Sequence, residues 1–172
     1  GISVVIPAGQ TTAPAIDFVA VDDSIYEQSE TFSLTIDSAT NADVSTSAGS
    51  DSATINDEDK DTPDDKQGDK PTVSIDATDA VAVEGVDNAI RFEVSQDNVS
   101  EDATTVVISA NLGTAEAADF TEISYTDVNG VVQTLNTPAA IQGFFDNGIS
   151  VVIPAGQTTA PAIDFVAVDD SI

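Results

Sequence analysis

The 25 residues GISVVIPAGQTTAPAIDFVAVDDSI occur twice, letter for letter, at 1–25 and at 148–172. Self-similarity at a fixed offset is the signature of tandem repetition, and here the offset is 147 positions. The expectation is a stretch of a longer array that starts and stops inside a repeat. One unit then runs from about residue 71 to 172, continues with the 26–56 segment downstream of the first copy, and closes in the connector 57–70. In this frame, 1–56 is the later part of one module and 71–172 the earlier part of the next.

The residue inventory fits β-structure. Trp, Cys, Met and His are absent, and the apolar content is carried by Val, Ile, Ala and Leu with seven Phe. Without Cys or His there are no disulfides, thiolate nucleophiles or imidazole ligands, so oxygen is the only strong donor left. Thirty-one acids against four bases give a formal charge of −27. Three of the bases, Lys60, Lys66 and Lys70, fall in the connector, and Arg91 stands alone in the body of the repeat. Nucleic acid and anionic membrane surfaces are therefore excluded as partners. No apolar run approaches the roughly 18 residues of a membrane span. No signal peptide is visible, which for an internal stretch says nothing about export.

Period-two patterns predict short strands in TFSLTID, AIRFEVS, TTVVISA and both copies of ISVVI, with others at 14–21, in SATI, TVSI, AVAV, EISYT and IQGFF. Asn129-Gly130, between two β-prone runs, predicts a hairpin. Many short strands with turn signals and no helical period indicate an all-β, antiparallel sandwich, Ig-like in class. The connector holds seven acids between positions 57 and 69 and nothing that could anchor in a core, which reads as a linker.

Acids collect at strand ends: Glu84; Asp119; the set Asp22, Asp23, Glu27 and Glu30; and the connector run Asp57, Glu58, Asp59 and Asp61. Acid clusters are often no more than solvated faces. Gathered at one end of a sandwich, however, they repel unless a counter-ion intervenes, and four bases do not supply it. Ca²⁺ accepts six to eight oxygens at about 2.3–2.6 Å in flexible geometry, so clustered carboxylates on loops suit it.

The order of these groups resembles the Calx-β motif. The matching pieces are Glu84-Gly85, Gly113-Thr114-Ala115 with Asp119-Phe120, Val-x-Ile-Pro-Ala-Gly at 151–156, Asp22-Asp23 with Glu27, Glu30 and Phe32, and Ile55-x-Asp57-Glu58-Asp59. In the rotated frame they span nearly the whole repeat. The resemblance implies a calcium cluster at one tip of the sandwich, with ligand roles for Glu84, Asp119, Asp22, Asp23, Glu27, Glu30, Asp57 and Asp59, and for Asp169 and Asp170 in the second copy. Glu58 departs from the usual middle Asp, and 121–147 is longer than the family pattern. Long arrays of acidic sandwiches also resemble extender regions of repeats-in-toxin (RTX) adhesins. That likeness implies a secreted bacterial cell-surface stalk for attachment or biofilm formation, stiffened by calcium, with neighbouring repeats as partners and strand complementation between molecules as one way to complete the partial modules. The alternative is a carbohydrate- or protein-binding module. Glu84 and Asp119 as a glycosidase pair is disfavoured by the absence of Trp platforms, so no enzyme is expected.

Overall fold

The computed structural model describes residues 1–57 and 68–169. The fold is mostly β, with antiparallel sheets in a sandwich-like arrangement and one short α-helix. In chain order the elements are β1 (Ile25–Tyr26), β2 (Glu30–Thr35), β3 (Ser50–Ile55), β4 (Val73–Asp79), β5 (Ala89–Gln96), β6 (Val99–Ser100), β7 (Thr104–Ile108), β8 (Phe120–Thr126), β9 (Val132–Leu135), α1 (Pro138–Asn147), β10 (Ile149–Ile153) and β11 (Ile163–Ala167). One sheet has the order β4-β5-β11-β8-β9, and β10 pairs with β7 to form a separate two-stranded sheet. All three of β10's alternate residues Ile149, Val151 and Ile153 are buried, as are Val94, Ile123, Ile163 and Phe165 of the larger sheet.

The core is aromatic at its centre. The Phe165 ring lies 5.4 Å from Phe144, 5.6 Å from Phe120 and 5.8 Å from Phe92. Each such pair adds about 0.5–1.5 kcal/mol beyond burial. Phe144 comes from α1, in the IQGFF run expected to be a strand. The helix wins there because Thr137 caps it, accepting from the Ala140 N–H at 3.3 Å, and Pro138 occupies its first turn. Gly148 ends it at φ 68°, where a Cβ would run into the Ile108 carbonyl oxygen. The long segment 121–147 is thereby placed: β8, β9 and α1, with Ile123, Ile141 and Phe144 directed into the core. The Asn129-Gly130 hairpin forms as expected. Its loop is organised by Asp127, whose carboxylate accepts from the N–H groups of Val131 (3.0 Å) and Asn129 (2.8 Å) and is held below the usual range by them.

The two identical 25-residue copies have different structures. In the second, ISVVI and IDFVA are β10 and β11. In the first, the same letters are in no strand, contrary to the sequence expectation for 2–6 and 14–21. Ile153 is 0% exposed and its counterpart Ile6 55%; Phe165 is 8% exposed and Phe18 59%. The cause is the availability of partners. β10 aligns on β7 (Ile149 with Ile108, Val151 with Val106), and β11 lies between β5 and β8. An isolated strand has no ladder to satisfy its backbone, so the pattern alone does not hold it extended. The short Pro-Ala-Gly-Gln turn, being local, forms in both copies: Gln10 N donates to Pro7 O at 2.9 Å and Gln157 N to Pro154 O at 3.0 Å. The AVAV run, also expected as a strand, contributes only an isolated bridge from Val83 to Asp87.

Candidate functional site

Strand β5 fixes two ends of the sandwich, about 23 Å apart at roughly 3.3 Å per residue over seven steps. At its start the segments carrying Glu84, Asp119 and Asp169 meet. The Ala167 N–H donates to Asn88 O (2.7 Å), the Val168 N–H to Asp119 O (2.8 Å), and the Gly85 N–H to the Asn88 side chain (3.0 Å). Gly85, at φ 72°, lies so close to Asp169 that an added Cβ would stand 3.2 Å from its Oδ1. Three of the carboxylates expected from sequence, distant along the chain, thus belong to one end of the fold. Asp119 is itself positioned by the Glu116 N–H, which donates to its Oδ2 at 2.8 Å.

The other end, at the finish of β5, meets the continuation of the first copy. β1 pairs in parallel with β6, Ile25 opposite Val99 and Tyr26 opposite Ser100. The Glu101 N–H donates to Tyr26 O (3.0 Å), and the Gln28 amide to Asp102 Oδ2 (2.9 Å). Behind this joint the Glu27 N–H donates to Asp57 Oδ2 at 2.8 Å. The Asp57 carboxylate rests on buried Gly68, whose φ of 67° and lack of a Cβ admit it; an added Cβ would stand 2.6 Å from Oδ1. Asp23 turns its Oδ1 back to the Ile25 N–H at 2.9 Å. The Glu27 carboxyl is pushed up from its ordinary value by desolvation and then by the like charges of Asp23, Glu101, Glu30 and Asp57.

Asp23, Glu30 and Asp57 are therefore electrostatic neighbours of Glu27. Asp22 is exposed beside Asp23. Glu58, Asp59, Asp61 and Asp170 lie outside the described residues. Glu101 and Asp102, which face the joint from β6's far side, carry no sequence signal: they are adjacent acids in a turn, with no spacing motif to single them out. All donors are oxygens, the donor chemistry calcium takes. Among the described residues, no three acidic side chains converge as a ready metal cage.

Comparison with protein-family models, with curated proteins and with solved structures returns no match. No helix among the described residues is long and apolar enough to cross a membrane.

Proposed function

We propose that the chain is a stretch of a calcium-stabilised structural spacer: an Ig-like, Calx-β-type sandwich repeated in tandem in a secreted bacterial surface adhesin, where it projects adhesive domains from the cell. The observation carrying this reading is where the acids fall. One set, with Glu84, Asp119 and Asp169, belongs to the start of β5; the other, with Asp23, Glu27, Glu30, Asp57 and Glu101, lies at the joint beyond its finish. By the 147-residue offset, Asp22 and Asp23 correspond to Asp169 and Asp170. In an array the two sets are therefore halves of one composite site at each junction.

The chain's residues do three things there. Gly68 and Gly85 let the Asp57 and Asp169 carboxylates approach the backbone closely. The β1–β6 pairing and the Gln28–Asp102 bond fix one module against the next. The neighbouring carboxylates repel one another, and this repulsion adds to the desolvation that raises Glu27. Calcium, when bound, supplies the positive charge that cancels this repulsion. The role is mechanical, with no catalytic step. The binding-module alternative has less support, since Ile123, Ile141 and Phe144 of 121–147 go into the core, leaving Val128, Val131 and Val132 around the hairpin tip exposed.

The test is thermal unfolding and small-angle scattering in calcium and in chelator. A ligand at 100 times its Kd adds about 2.7 kcal/mol. For a chain of 172 residues that raises Tm by on the order of 5–10 °C. The scattering dimensions should also tighten. Identical melting and dimensions in the two conditions would refute the proposal.

A further inference from the structure

Among the described residues, the core-side face of β4 is left bare. Residues directly opposite on paired strands point to the same side of a sheet. Val73 and Ile75 of β4 stand opposite Gln96 and Val94 of β5, both buried on the core side. Yet Val73 is 43% and Ile75 50% exposed. The reason lies in the facing layer, which is short. β10 packs over β5 and β8, and α1 covers β8 beside it. Among the described residues, β7 pairs only with β10 and keeps its other edge unpaired.

A matching piece exists in the same chain. In the hairpin β2–β3, Phe32 is opposite Ala53, Leu34 opposite Asp51 and Glu30 opposite Ile55, so Phe32, Leu34, Ala53 and Ile55 share one face with the carboxylates of Glu30 and Asp51. The other face is hydroxyls: Thr31, Ser33, Thr35, Ser50, Ser52 and Thr54. This is a two-stranded sheet whose mainly apolar face is only partly covered: Phe18 packs on Phe32 with ring centroids 5.2 Å apart, while Leu34 and Ile55 stay 46% and 37% exposed.

We propose that the hairpin β2–β3 of a second copy of this chain completes the sandwich, adding to the free edge of β7 and laying Leu34 and Ile55 on Val73 and Ile75. The occupant is a second copy because the chain's own hairpin is engaged elsewhere. It is tethered at the β6 end through β1 and Gln28, and among the described residues it pairs with neither β4 nor β7. Repetition supplies the frame: the hairpin comes directly after the first copy of the 25 residues, and the sandwich is built on the second. Pairing and burial alone carry this association, independently of calcium. It makes the chain a head-to-tail polymer whose links are strand additions.

The test uses the full 172-residue chain in chelator at high salt, so that neither ion bridges nor net charge decides the outcome. Light scattering after size exclusion should show wild-type mass rising with concentration through successive multiples of the monomer. Ile75→Asp spoils the acceptor and Leu34→Asp the donor, so each alone should be monomeric. Their mixture should form dimers that grow no further, since the one good hairpin meets the one good acceptor. Both positions are half-exposed, and circular dichroism checks that the variants keep their β-signature. On wild type alone, hydrogen exchange at 73–79 and 104–108 should slow as concentration rises. A wild-type chain that stays monomeric with concentration-independent exchange, or single variants that associate as wild type does, would overturn the proposal.

Discussion

Replacing Ile153 by alanine, and separately its duplicate Ile6, isolates what tertiary context does to one peptide. The two side chains occupy the same place in the same 25-residue sequence, yet Ile153 is fully enclosed and Ile6 more than half open to water. Ile153→Ala deletes three carbons from the core, about 2.4 kcal/mol at roughly 0.8 kcal/mol per methylene. The cavity left in the cluster with Val94 and Ile123 raises the loss to about 3–5 kcal/mol. That is a large fraction of the roughly 5–15 kcal/mol by which a domain is stable. Ile6→Ala trims a side chain already more than half open to water and should stay within about 0.5 kcal/mol. Urea unfolding followed by circular dichroism measures both. Equal losses would refute the asymmetry. So would a small loss for Ile153→Ala that becomes large only in the double variant, because the first copy would then be replacing the second in the sheet.

Gly148→Ala should be strongly destabilising, since its Cβ meets the Ile108 carbonyl at a positive φ; Gly1→Ala, at the matching position with nothing within 4 Å, should be silent in the same melting assay. Gly85→Ala, at φ 72°, should cost roughly 1–2 kcal/mol in chelator and, by displacing Asp169, should also shrink the calcium-dependent gain in melting temperature, read by calcium titration and calorimetry. The raised Glu27 carboxyl predicts a pH effect of definite sign. The folded state binds its proton more readily than the unfolded state, so stability should rise as pH falls through the raised value and level off below the ordinary value of 4.5. Glu27→Gln should abolish that increment in unfolding measured across the window, and an unchanged slope would count against the crowding of charge at the joint.

Much of the module is legible in its letters because its signals are local. AIRFEVS alternates and becomes β5; Asn129-Gly130 closes β8 on β9; Pro-Ala-Gly-Gln turns in both copies. The failures are non-local or masked. ISVVI has the same pattern at 2–6 and 149–153, and only the presence of β7 decides which becomes a strand. IQGFF is too short an apolar run to separate helix from strand by period, although Thr137-Pro138 ahead of it carries the helix-start signal. For the candidate site, acids at strand ends are readable, and the fold brings the segments of Glu84, Asp119 and Asp169 to one end. Glu101 and Asp102 are not readable, because their membership depends on β1 lying beside β6, a pairing between residues more than 70 positions apart.

Whether the paired acid sets at the joints hold calcium is decided by calorimetric titration of the ion into the chelator-stripped chain. Saturable binding is expected, weakened by Asp57→Asn and by Asp169→Asn, with a rise in melting temperature that tracks site occupancy. A titration with no saturable heat, and a melting temperature indifferent to calcium, would contradict it.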